Sequence, residues 1–178
     1  MNLLLRLAAL PLPAIVRKKE LEQLAALTAA AFGVAAPEFS GLGAAEALAC
    51  YARFTRESAM DALAQRRGLP ALEARLGEAA RAYGARWRRR FSVTTPAEAM
   101  QAARVLYRAI GIDFRGTAEG MIEISSCYFS RFYAPEICRM ISALDAGVLA
   151  GLAGGGTLAF SQRITEGHPC CRAYLEMR

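Results

Sequence analysis

The side chains best suited to nucleophilic or metal chemistry are concentrated in the last third of this 178-residue chain. A thiolate can add to an sp² carbon while a carboxyl or imidazole group carries the proton, and thiolate and imidazole together can bind zinc. Free cysteine is also among the most buried residue types, so a plain cysteine-rich core is the alternative. From residue 121 onward the chain holds four of its five cysteines, its only histidine and a single aspartate: Cys127, Cys138, Cys170, Cys171, His168 and Asp145.

Two of these residues lie on one face of a predicted helix that begins near Pro135. Cys138 and Asp145 are seven positions apart with Ser142 between them, so their side chains leave the same side of the helix. That side borders a broad apolar stripe, where burial raises the pKa of a carboxyl group and a nearby arginine lowers it. We therefore expect Asp145 to line a pocket as a proton carrier. The alternative is a carboxylate that faces solvent or caps a loop.

Alternating hydrophobicity predicts three strands in the same region: Ile122–Cys127, Thr157–Thr165 and Cys170–Met177. In the last strand, alternation puts Cys171 on the buried face and Cys170 on the other. In the first, strict alternation groups Cys127 with Glu123, on the face opposite Ile122. The strands and the inserted helix are expected to gather five residues around one pocket, namely Cys127, Cys138, Asp145, His168 and Cys171.

The first two thirds of the chain are predicted to be a helical scaffold. Apolar residues recur at helical spacing over Glu20–Phe32, Ala44–Arg67, Pro70–Arg90 and Thr95–Gly111. Thr95 and Glu98 form a capping-box pattern, and Gly68 is expected to take the left-handed cap after the second helix. The fold class is α+β: helices packed on a small antiparallel C-terminal sheet with one inserted helix. We expect a single domain over 1–178, with 1–111 mainly helical, 112–178 cysteine-rich and a short strand or turn passage over Asp113–Gly120.

Composition limits the function classes. The formal net charge is +6, but the Arg86–Arg90 cluster suits a solvated helix end, so no nucleic-acid partner is expected. An odd number of cysteines without regular spacing favours free thiols in a reducing cytoplasm. No apolar run reaches the ~18–20 residues of a membrane span. Met1–Val16 is expected to pack on the domain, with a membrane-interface segment as the alternative. A homo-oligomer is left open.

The order of these motifs resembles the L-2-amino-thiazoline-4-carboxylic acid hydrolase family. The resemblance is carried by Cys127-Tyr128, Pro135-Glu136-Ile137-Cys138, Asp145 and Glu166-Gly167-His168-Pro169-Cys170-Cys171. It implies hydrolysis of a cyclic amidine or thiazoline at a carbon–nitrogen bond outside peptides. The catalytic residues are then expected among Cys127, Cys138, Asp145 and His168. A nearby cation would favour a thiolate, and Arg131 and Arg139 are close in sequence.

A second resemblance supplies the alternative function. Gly167 to Arg172 resembles the 4-vinyl reductase domains, which are small-molecule-binding modules, and implies a tetrapyrrole or aromatic ligand without catalysis. Zinc-binding members of that group place a Glu and a Cys where this chain has Phe160 and Arg163. Zinc would therefore need Cys127, Cys138 and Cys171, with His168 or Cys170 completing the site.

The character of the pocket distinguishes the two functions. A thiol beside an acid or base in a pocket with a polar floor favours the hydrolase. An apolar cavity with cysteines on a metal or in the core favours the binding module.

Overall fold

The computed structural model describes residues 13–66 and 68–177. Two short 3₁₀ turns lie at Tyr128–Arg131 and Ile164–Glu166. The predicted α+β class, with a small C-terminal sheet and an inserted helix, is confirmed. The elements of the described chain are α1 Ala14–Phe32, α2 Ala44–Gln65, α3 Leu69–Arg90, α4 Pro96–Ala109, β1 Ile112–Gly116, β2 Met121–Cys127, α5 Pro135–Ala153, β3 Thr157–Gln162 and β4 Cys171–Glu176.

The helix ends follow local capping chemistry. At the start of α4, Thr95 accepts a hydrogen bond from the Glu98 amide at 3.3 Å, while the Glu98 carboxylate accepts from the Thr95 amide. This is the predicted capping box. The expectation for Gly68 was wrong in detail, because α2 ends earlier and Arg66 takes the left-handed conformation with φ of 51°. Gly68 is also left-handed, but it precedes α3. The expectation for Met1–Val16 falls mainly outside the described residues.

Helices α3 and α5 pack with their backbones in direct contact. A β-carbon on Gly147 would lie 2.2 Å from the carbonyl oxygen of Gly77, and one on Gly151 would lie 2.3 Å from that of Arg81. On the facing helix, a β-carbon on Gly84 would lie 2.3 Å from the carbonyl oxygen of Val148. Only glycine permits such an approach. As a result α5, which carries Cys138 and Asp145, is fixed against α3 by main-chain atoms.

The sheet has the strand order β1-β2-β4-β3, and all its neighbouring strands are antiparallel. The passage expected as a strand or turn over Asp113–Gly120 supplies both, since β1 is the edge strand and Gly120 turns the chain with φ of 93°. The inner face is buried against α4 and α5. Within residues 13–66 and 68–177, no helix has the length and apolarity needed to cross a bilayer.

Two β-bulges interrupt the strict alternation of side chains. In β2, Cys127 pairs with Ile112 and Ser126 with Asp113, but Ile124 pairs with Phe114, so Ser125 is an extra residue. An extra residue exchanges the two faces of a strand beyond it. Cys127 therefore points to the cavity on the inner side of the sheet, and the grouping with Glu123 was wrong.

The second bulge shortens the strand predicted over Thr157–Thr165. Phe160 pairs with Ala173 and Gln162 with Arg172, which leaves Ser161 as the extra residue of β3. The strand then ends at Gln162, and the chain enters the 3₁₀ turn Ile164–Glu166 instead of continuing to Thr165. This turn closes one side of the cavity described next.

Candidate functional site

An internal cavity of about 100 Å³ lies between the helices and the inner face of the sheet. All five helices, β1, β2, β4 and both 3₁₀ turns contribute to its walls, which are largely apolar. Four of the five sequence-predicted site residues line it: Cys127, Cys138, Asp145 and Cys171. They come from β2, α5 and β4, the elements expected to bring them together.

Asp145 is the acid of the cavity. Its carboxylate accepts a hydrogen bond from the hydroxyl of Tyr107 at 2.8 Å. The residue is half-buried, and part of its surface faces the cavity. Burial raises the pKa of Asp145 from 3.8 to about 6, against the opposing effects of the Tyr107 hydrogen bond and the Arg163 charge. The carboxyl group therefore exchanges its proton near neutral pH.

The three cavity thiols are protonated at neutral pH. Burial raises the pKa of Cys127 to about 12 and also raises the pKa values of Cys138 and Cys171. The Asp145 charge adds to the increase for each thiol, and Arg163 opposes it for Cys138 and Cys171. No free thiolate is therefore present as a ready nucleophile.

The cation beside the thiols is not one of the two arginines close to them in sequence. Arg131 lies over the ring of Tyr128, with its guanidinium carbon 4.7 Å from the ring centroid. Arg139 pairs with Glu166 at 2.8 Å on the surface. Arg163, on the segment after β3, is the residue whose charge acts on the thiols. The signal available in the sequence was the resemblance to the 4-vinyl reductase domains, which places a site residue at this position.

Tyrosine hydroxyl groups lie at the edge of the apolar cavity. Tyr51 shares a 3.1 Å hydrogen bond with Thr28, and the Tyr133 hydroxyl pairs with Thr55. The rings pack on Phe129, which meets Tyr51 edge-on with centroids 6.0 Å apart. These contacts join the cavity wall to α1 and α2 without adding a charge.

His168 does not reach the cavity. It is exposed in the turn before β4, where its backbone N–H donates to the Arg163 carbonyl at 3.3 Å. Cys170 is half-buried and accepts a hydrogen bond from the Gln162 amide at its sulfur, 3.3 Å away. Cys171 is buried, as alternation along β4 predicts.

The three thiols do not form a preassembled metal site. Among the residues that the structure describes, no three histidine, cysteine, aspartate or glutamate side chains are close enough together to hold a metal ion. Cys127, Cys138 and Cys171 thus share a cavity without sharing a coordination sphere. All three are free cysteines.

A second buried acid, not predicted from the sequence, lines the opposite side of the cavity. Glu20 of α1 is 3% exposed and accepts hydrogen bonds from Tyr83 at 2.7 Å and Trp87 at 3.3 Å. Arg90 lies 3.7 Å from its other oxygen. Its burial could have been predicted from its position four residues before Leu24, on the apolar face of α1. Because both carboxylate oxygens are paired, Glu20 fixes α1 against α3 and has a structural role.

The Arg86–Arg90 cluster is mostly exposed, but its side chains have partners on α1 and α3. Arg86 donates to Gln23 at 2.9 Å and lies over the ring of Tyr83. Arg90 lies over Trp87 in addition to pairing with Glu20. The cluster therefore stabilises the helical scaffold, and the absence of nucleic-acid binding stays a prediction.

Comparisons with known proteins give no further guide. No family model, curated protein or solved structure matches this chain. The function is therefore argued from the cavity and its chemistry.

Proposed function

We propose that this protein is a hydrolase of small cyclic amidines of the 2-aminothiazoline-4-carboxylate type, and that the cavity is its substrate site. The observation that carries the proposal is one half-buried carboxyl group, Asp145, in the same largely apolar cavity as the thiols of Cys127, Cys138 and Cys171. An amidine is a planar cation with N–H donors, which a carboxylate in an apolar site binds well. The motif resemblance points to the same substrate class.

The cavity size supports a single small ring. Its volume is about 100 Å³, and an apolar cavity of ~150 Å³ is enough to bind benzene. The cavity therefore holds at most one small ring, such as a five-membered thiazoline with its carboxylate directed towards the cavity edge, whereas a tetrapyrrole is several times too large. This favours the hydrolase over a tetrapyrrole-binding module.

Asp145 is suited to general acid–base chemistry in this cavity. With a pKa of about 6 it is mainly ionised at pH 7.5 and can accept a proton from an attacking thiol or water. Because the thiol pKa values are raised, the proton leaves as the ring carbon is attacked and not beforehand. The same carboxyl group can then protonate the departing heteroatom. Cys127, Cys138 and a water molecule remain alternative nucleophiles, and exposed His168 has no part.

The test is turnover of 2-aminothiazoline-4-carboxylate, followed by mass spectrometry of the ring-opened product. Asp145→Asn keeps an acceptor for the Tyr107 hydroxyl but cannot carry a proton, so kcat should fall ~10²-fold or more. Cys50→Ser is the matched control, since Cys50 is a half-buried thiol outside the cavity. Full activity of the Asp145→Asn protein would refute the assigned role.

A binding module for a small aromatic ligand is the second candidate. It is favoured by the largely apolar walls and by thiols that burial keeps protonated. Absence of turnover by the wild-type protein, together with stoichiometric binding of a one-ring ligand, would select this function.

A further inference from the structure

Two buried polar groups beside the cavity have no nitrogen or oxygen partner in the described part of the chain. They are the Nη1 nitrogen of Arg163 and the hydroxyl of Thr165, which meets only the Cys138 thiol. Buried polar groups are nearly always hydrogen-bonded, and an unpaired charged donor is among the costliest exceptions. Two such groups on one short segment leave room for an acceptor that a ligand would supply.

The donors are held in place by the segment that carries them. Thr165 lies in the 3₁₀ turn after β3 and lines the cavity. The Arg163 side chain is 14% exposed, its guanidinium carbon lies 4.0 Å from the centroid of the Phe160 ring, and its Nε lies 3.9 Å from the Glu166 carboxylate. Stacking and the ion pair fix the guanidinium plane and leave Nη1 without an acceptor. The site is thus preorganised, which reduces the ordering cost of binding.

The positive charge of Arg163 is incompletely neutralised. Its one ion-pair partner among the described residues, Glu166, is shared with Arg139 at the shorter distance of 2.8 Å. The charge extends to the cavity, where it lowers the pKa values of Asp145, Cys138 and Cys171 against the effect of burial. A ligand that carried an anionic group would complete this arrangement.

We propose that Arg163 and Thr165 bind a carboxylate group of the cavity ligand. A carboxylate can accept from a guanidinium nitrogen and a hydroxyl at once, and charge-assisted bonds of this kind are strong and directional. The inference rests on the proposed function in one respect: Asp145 is taken to hold the cationic amidine end. The ligand is then a small zwitterion that bears its amidine and its carboxylate on one ring.

Two non-hydrolysable probes isolate the carboxylate contact from catalysis. Calorimetric titration compares 2-aminothiazole-4-carboxylate with 2-aminothiazole, which differ only in the carboxylate. The wild-type protein should bind the carboxylate about 10- to 100-fold more tightly, the range for one buried charge-assisted contact. Arg163→Met should abolish this preference, while any change in the pKa of Asp145 affects the Kd values of both probes together. Thr165→Val, a smaller change that keeps the fold, should reduce the preference by about 3- to 10-fold.

Arg172→Met is the matched control, because it removes one positive charge from the exposed face of β4 and should keep the preference. Equal Kd values for the two probes in the wild-type protein, no binding of either, or equal weakening of both by Thr165→Val would overturn the proposal. Ring opening of the thiazoline is measured separately. A preference for the carboxylate without turnover would refute the hydrolase alone, and turnover without the preference would refute the Arg163 site alone.

Discussion

Replacing Asp145 by asparagine should change how the stability of the protein depends on pH. Burial raises the pKa of this carboxyl group from 3.8 to about 6 in the folded protein. A group whose pKa is raised on folding binds its proton more tightly in the folded state. Its stabilising contribution is therefore complete below its unfolded pKa and is lost as the pH rises through about 6.

The size of this effect follows from the two pKa values. Each unit of difference corresponds to 1.36 kcal/mol, and the unfolded carboxyl group is already partly ionised at pH 4, so a rise from 3.8 to about 6 costs the wild-type protein about 2.5 kcal/mol between pH 4 and pH 7.5. Asparagine keeps an acceptor for the Tyr107 hydroxyl and has no proton to lose. The free energy of unfolding of the wild-type protein, minus that of Asp145→Asn, should therefore fall by about 2.5 kcal/mol over this range.

Urea unfolding at half-unit intervals from pH 4 to pH 8 measures the difference directly. Contributions from all other titrating groups cancel between the two proteins, as does any constant offset caused by the asparagine. Asp61→Asn removes an exposed carboxylate from α2 and corrects for the general effect of losing one charge. A difference that changes by less than ~1 kcal/mol over the range would show that water solvates Asp145 and that the cavity is not an apolar site.

Two further predictions concern the helix contact and the thiols. Gly147→Ala should lower the free energy of unfolding by about 1–3 kcal/mol, because its β-carbon would overlap the main chain of α3. Gly77→Ala is the control, because its β-carbon would meet the nearest atom at an ordinary 3.5 Å, and its free energy of unfolding should be unchanged or higher. Thermal melts of both variants measure this, and equal losses of stability would contradict the packing argument. At pH 7.5, mass-spectrometric mapping should find that iodoacetamide alkylates half-buried Cys170 at least ~10-fold faster than buried Cys171, and comparable rates would indicate an open site.

The sequence predicted the elements well because their periodicity is local. The capping box at Thr95 and the alternation that buries Cys171 each depend on a few neighbouring residues, and both appear in the structure. The inserted helix places Cys138 and Asp145 on one face for the same reason. Helical spacing alone therefore joins these two residues at the cavity.

The rest of the site depends on tertiary contacts that no local pattern encodes. One extra residue in β2, at Ser125, decides which face of the sheet Cys127 occupies. Burial of Glu20 requires Tyr83 and Trp87 from a helix more than sixty residues away. Arg163 follows the polar pattern of a strand end and is buried only because its guanidinium stacks over a ring of the same strand.

The main-chain contact between α3 and α5 also limits how the proposed ligand cavity can be altered. Helices already in main-chain contact cannot move closer together to make room for a new ligand, so the space for a larger ring has to come from the other walls. Shortening Leu24 on α1 or Phe129 beside β2 would enlarge the cavity from its other walls. Asp145 would keep its position throughout, so that specificity and acid–base chemistry could be engineered independently of each other.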